Sequence, residues 1–159
     1  MGQQPVSATF YLDSSALVKR YAVETGTEWV RTLCSEPDHV IAVALIGIVE
    51  VAAAVAGKLR GRIIDQATGD VILASLKADA ATQYSLLDVN QYVVDEAIEL
   101  TRRHRLRGYD AVHLASTLRL NRALTDHRLP PLTLVAADND LLKAAQAEGL
   151  ETENPNLRS

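Results

Sequence analysis

Short runs of β-branched, aromatic and aliphatic residues alternate along this chain with longer stretches of helical spacing, and few architectures accept that order. The first unit, Thr9–Tyr21, reads T-F-Y-L-D-S-S-A-L-V-K-R-Y. Thr9 to Leu12 suits a buried strand, and the strand stops at Asp13. Ser14 and Ser15 can cap a helix, and Ala16-Leu17-Val18 with Tyr21 resumes at helical spacing. His39–Ala42, Tyr84–Val89 and Leu132–Ala137 are the other strand candidates. Helices are predicted between them. One runs from Thr27 to Cys34, capped by Thr25, and the next from Leu45 to Leu59, apolar nearly all round and so mostly buried. Asp65–Gln83, Gln91–Leu106 and Tyr109–Leu124 come after it. Ile64, Val71, Leu73 and Leu76 are among the apolar positions of the first, and Val94, Ala97, Ile98 and Thr101 share one face of the second. Asp138 starts a last helix to Ala147, closed by Gly149, and the polar tail from Glu151 is expected to be loose. Buried strands alternating with helices predict an α/β fold, a parallel sheet between helical layers. The chain's 159 residues suffice for one compact domain.

Charge and composition narrow the function classes. Net charge is −4, so no global basic field draws in a polyanion. Aromatics are only 4%, so any nucleic-acid binding would rest on charge rather than on stacking platforms. A single cysteine, Cys34, excludes an internal disulfide, reads as a buried structural thiol, and fits a reducing cytoplasm. Met1–Pro5 has neither the basic nor the apolar region of a secretion signal. Val40–Ala56 is shorter than the ~20 residues of a membrane span and carries Glu50, so it reads as a strand followed by a helix.

The acids carry the chemistry. Asp13 and Asp138 each follow a buried strand, and in an open parallel sheet that places both at the ligand-binding edge. Each is also a good helix cap, which is the plain alternative. Asp110, in Arg107-Gly108-Tyr109-Asp110-Ala111-Val112-His113, lies in the first turn of an apolar helix, where the dipole favours an acid. Glu50 is the most informative, set in Ile46-Gly47-Ile48-Val49-Glu50-Val51-Ala52. A carboxylate there is costly unless it reaches water, a cation or a metal; a thin exposed stripe is the alternative.

Four features in this order resemble the PIN domain, and within it the VapC-type toxin ribonucleases of bacterial toxin–antitoxin pairs. They are Y-L-D-S-S-A-L-V-K-R-Y, the lone Glu50, Y-D-A-V-H-L-A and A-A-D-N-D-L-L. The resemblance spans about Thr9 to Asn154. It implies a three-layer α/β/α sandwich on a central parallel sheet, assembled as a homodimer. It implies Mg²⁺- or Mn²⁺-dependent cleavage of RNA, and a small antitoxin protein that blocks the site. Carried over by position, Asp13, Glu50, Asp110 and Asp138 would be the metal-binding and catalytic acids, with Ser14 or Ser15 supporting the first. Asp140 is an extra acid that could share the fourth position.

Residue chemistry agrees with that resemblance. Clustered carboxylates make a hard oxygen site suited to Mg²⁺ or Mn²⁺, without the His and Cys that zinc prefers. His113, three residues after Asp110, reads as a packed, hydrogen-bonded histidine rather than a general base. Arg103, Arg105 and Arg107 belong to the densest basic run, which reads as phosphate contact at the cleft rim or as ordinary helix-end charge. Lys19 and Arg20 are secondary RNA-binding candidates. Rival readings are a haloacid-dehalogenase-like phosphatase, which would want a second Asp where Ser15 stands, a related nuclease acting on DNA or structured nucleic acid, and a non-catalytic interaction module.

Overall fold

A computed structural model describes residues 7–158. The Met1–Pro5 segment, read as lacking a secretion signal, lies outside the described residues. Five strands form one sheet: β1 (Ala8–Leu12), β2 (His39–Ala44), β3 (Ser85–Leu87), β4 (Thr133–Val135) and β5 (Glu151–Glu153). Their spatial order is β3-β2-β1-β4-β5, and every neighbouring pair is parallel. The chain steps outward from β1 to β3 and then returns to the other side of β1. That reversal opens a crevice outside the carboxyl ends of β1 and β4, the place where open parallel sheets bind ligands.

Strand alternation divides the core in two. Tyr11, Ala42, Leu134 and Ala136 face one helical layer. That layer holds α5 (Gln91–Arg103), α6 (Gly108–Asp126) and α7 (Asn139–Ala147), which contribute Leu100, Leu114 and Leu141. Leu12, Ile41, Val43 and Val135 face the other layer. It holds α1 (Ser14–Tyr21), α2 (Thr27–Ser35), α3 (Leu45–Arg60) and α4 (Gln66–Thr82), which contribute Leu17, Val30, Val51 and Leu76. Fully burying each such side chain is worth about 2 kcal/mol over leaving it exposed. The three-layer α/β/α sandwich expected from the sequence is the fold observed.

Several local expectations change. The tail is not loose: Glu151–Glu153 pairs with β4 as an edge strand, and Ala136 N–H donates to the Glu153 carbonyl at 3.1 Å. Its stabilising bonds are backbone bonds, which a polar sequence does not advertise. Beyond it Pro155 is buried against Gly26, whose φ of 87° and lack of Cβ make that approach possible. Gly26, not Thr25, caps α2. Helix α3 buries only a stripe through Gly47, Val51 and Val55, and Val49 is 65% exposed. An apolar composition does not show which face a helix turns outward. In α4 the buried positions are Gly69, Ile72 and Leu76, with Val71 outside. In α5 they are Val93, Ala97 and Leu100, with Val94 and Ile98 outside. Cys34 is half-buried, and burial pushes its thiol up to about 11. No helix among the described residues is long and apolar enough to cross a membrane.

Candidate active site

Asp13 ends β1 and begins α1, so it answers to both alternatives at once. Its Oδ1 accepts the Ala16 N–H at 3.0 Å, which is the helix cap. The Ser15 hydroxyl sits 2.7 Å from Oδ1 and 2.9 Å from Oδ2. Ser15 rather than Ser14 is therefore the supporting serine. Asp13 is only 2% exposed. Burial pushes its carboxyl up to about 6; His113, Ser15 and the Ala16 amide pull it down, and Asp110 pushes it up.

Asp110, in the first turn of α6, links the acids electrostatically. Burial raises its carboxyl, the charges of Asp138 and Glu50 raise it further, and His113 and Arg107 oppose them. Asp138 caps α7 by accepting the Leu141 N–H at 2.9 Å through Oδ1, leaving Oδ2 free of the cap. Asp110, Asp138 and Asp140 line one cleft of about 370 Å³ with His104, Arg105 and Arg107. Asp140 is exposed on its rim.

Glu50 reaches inward from α3 to His113 of α6, with Oε1 2.6 Å from Nε2. On the far side of the ring, Nδ1 lies 2.7 Å from the hydroxyl of Tyr11. Burial pulls the His113 pKa down, but the Glu50 hydrogen bond and the charges of Asp13, Glu50 and Asp110 outweigh it, so the net direction is up. Sequence reasoning missed the contact that Tyr11 makes with His113. The one available signal is its position two residues before Asp13, on the same side of the strand. Among the described residues, no three acid, His or Cys side chains are close enough to form a ready-made chelate. Asp110 and Asp138 share the cleft with Asp140, whereas neither Asp13 nor Glu50 lines it, and Glu50 is held by His113.

The basic candidates separate. Arg105 and Arg107 line the acidic cleft and make no ion pair among the described residues. Arg103 is committed to Glu148 at 2.8 Å, which His104 also contacts at 2.7 Å. Lys19 is buried, with Nζ 3.0 Å from Glu24. The Arg20 guanidinium donates to Tyr84 Oη at 2.8 Å and to Gln83 Oε1 at 2.9 Å, and packs on the Tyr21 and Tyr84 rings. Each of these two charges has partners around α1 and α4, and neither residue lines the cleft.

Comparison with known proteins decides the family. The chain is 34% identical over 144 residues to ribonuclease VapC45 of Mycobacterium tuberculosis, covering 87% of this chain and 90% of the relative. The chain belongs to the VapC ribonuclease family. No family model matches the sequence. The crystal structure of PAE2754 from Pyrobaculum aerophilum has the same fold, with a TM-score of 0.63 and 17% identity, covering 95% of this chain and 92% of that one. A toxin–antitoxin complex from Klebsiella pneumoniae contains a chain of the same fold, at TM-score 0.55 and 18% identity, covering 94% and 98%. This VapC chain accordingly places Asp13 and Asp138 at the switch point of a fold shared with those structures.

Proposed function

We propose that this VapC chain is an endoribonuclease that cleaves RNA with Mg²⁺ or Mn²⁺ held by Asp13, Glu50, Asp110 and Asp138. The observation that carries the reading is geometric: Asp110, Asp138 and Asp140 line one cleft, and Asp13 ends the neighbouring strand β1. Burial raises the Asp110 carboxyl, and the charges of Asp138 and Glu50 raise it further. Like charges are stable together when a cation joins them, and an all-carboxylate donor set suits a hard divalent ion. Asp140, on the rim of the same cleft, would share the fourth position.

When bound, such an ion activates water and neutralises charge on the phosphate. The chain's own residues do the rest. Ser15 orients Asp13 and donates a hydrogen bond to its carboxylate, so its hydroxyl is committed to support rather than nucleophilic attack. Asp138 is held by its cap. Arg105 and Arg107 supply positive charge on the cleft wall, suited to the phosphates flanking the scissile bond.

The partners follow the family. The relative is named a ribonuclease, and the Klebsiella pneumoniae structure is a toxin–antitoxin complex. The first supports an RNA substrate and the second an antitoxin partner, which would be a small protein that blocks the site. A cytoplasmic homodimer is the working assembly.

The test is cleavage of RNA, DNA and a generic phosphomonoester side by side, with Mg²⁺, with Mn²⁺ and with excess chelator. RNA cleavage that needs the ion and stops with chelator is expected. Full activity in chelator overturns the metal reading, and preferential cleavage of DNA or the monoester overturns the substrate.

A further inference from the structure

We propose that Tyr11 and His113 are positioning residues for Glu50. They form a buried hydrogen-bonded chain that fixes one oxygen of the Glu50 carboxylate and leaves the other for the ion. The inference rests on the reading of Glu50 as a metal ligand.

Three elements that are distant in sequence meet here: Tyr11 on β1, His113 on α6 and Glu50 on α3. Both ring nitrogens of His113 are engaged, at 2.7 Å to Tyr11 and 2.6 Å to Glu50. Tyr11 is fully buried and His113 is 1% exposed. Water therefore cannot replace the Tyr11–His113 contact without opening the core, and the His113–Glu50 contact, partly buried, is where the chain meets solvent. Glu50 has no other hydrogen-bond partner among the described residues, and that contact uses only Oε1.

The arrangement is also directional. In a neutral imidazole, a Tyr11 O–H donated to Nδ1 leaves the ring hydrogen on Nε2. In a charged imidazole, Nε2 carries a hydrogen as well. Either way Glu50 accepts a hydrogen bond and remains a carboxylate acceptor. The backbone makes room for the contact. Gly47 precedes Glu50 by one turn on α3, and a Cβ there would stand 3.5 Å from His113 Cε1 and 3.3 Å from the Val43 side chain. The small residue lets α3 lie close to the ring. Tyr11 also precedes Asp13 by two residues, so one short strand presents an acid and anchors the support of a second. Groups that orient metal ligands from outside commonly change metal affinity about 10- to 100-fold when removed.

The experiment measures Mn²⁺ binding by calorimetry, without RNA, on the intact chain and on Tyr11→Phe, His113→Leu, His113→Gln and Glu50→Gln, with metal-free melting recorded for each. Tyr11→Phe and His113→Leu are expected to weaken Mn²⁺ binding about tenfold or more. His113→Gln should recover most of the loss, because its amide N–H can replace Nε2–H. In a Glu50→Gln background, Tyr11→Phe should add nothing. Should His113→Leu fail to fold, Tyr11→Phe carries the test, since it removes only a hydroxyl. If Glu50→Gln weakens Mn²⁺ binding while Tyr11→Phe and His113→Leu lower only the melting temperature, the chain is mere packing and the inference is overturned. If Glu50→Gln leaves Mn²⁺ affinity unchanged, Glu50 is not a ligand, and this inference falls together with that assignment.

Discussion

The hydroxyl of Ser15 accepts a hydrogen bond from the amide of Ala137 at 2.9 Å, across 122 residues of sequence. The same hydroxyl donates to Asp13. One small side chain thus ties the carboxyl end of β1 to the carboxyl end of β4, at the point where strand order reverses. The two acids that end those strands are held in register through it. Ser15→Ala removes this tie and leaves Asp13 with its amide donor alone. A loss of about 1–3 kcal/mol in metal-free stability is expected at pH 7. The loss should be smaller at pH 4, where the Asp13 carboxyl is protonated. Urea denaturation at the two pH values checks this; equal losses would show that only the Ala137 contact mattered.

Asp13 should also write a pH dependence into the metal-free protein. Its carboxyl is pushed up to about 6 by burial, from an ordinary 3.8. Between about pH 4 and pH 6 the folded state keeps a proton that the unfolded chain has lost. Stability therefore falls as pH rises through that window, by about 3 kcal/mol in total from this group. Asp13→Asn keeps the cap and removes the charge, so the fall should flatten. Metal-free melting should stay level or rise at pH 7, the stabilisation by Mg²⁺ or Mn²⁺ should shrink, and RNA cleavage should drop by orders of magnitude. Wild-type cleavage by this variant would end the proposed mechanism.

The basic run gives a split outcome. Arg105 and Arg107 line the cleft, whereas Arg103 is paired with Glu148. Neutralising Arg105 or Arg107 should weaken binding to all RNA sequences and reduce the salt dependence by up to about one unit of slope for each phosphate that loses its cation. Arg103→Gln should leave the slope unchanged. Binding measured across a salt series decides it, and identical slopes for all three variants would return Arg105 and Arg107 to ordinary helix-end charge.

Gly26 offers a test of the fold remote from the chemistry. It sits at φ 87°, and a Cβ there would collide with the backbone of Pro155. Gly26→Ala should lower stability by more than about 1 kcal/mol through backbone strain alone, with further loss from displacing the tail. The measured effect should exceed that of removing the last few residues after Pro155. A neutral Gly26→Ala would mean that the tail does not pack on α2 in solution.

The layered fold is legible in the sequence, and so is the placing of acids at one edge of the sheet. The alternation of apolar runs with helix-spaced stretches leaves few options beyond a parallel sheet between helices. The strand-to-helix turns at Asp13 and Asp138 put two carboxylates on one edge, because parallel strands all end on the same side. Glu50 is conspicuous because a carboxylate in an apolar helix demands a partner. Folding selects that partner: His113, backed by Tyr11, from elements far apart along the chain. Folding also selects which charges are free. Lys19, Arg20 and Arg105 look alike as residues, yet the first two are neutralised by Glu24 and by the Tyr84–Asp79 cluster, while Arg105 faces the cleft. The edge strand β5 is held by main-chain hydrogen bonds, which every sequence can make and none announces. Local patterns report what a residue costs to bury; which neighbour meets that cost depends on groups that only the tertiary fold brings together.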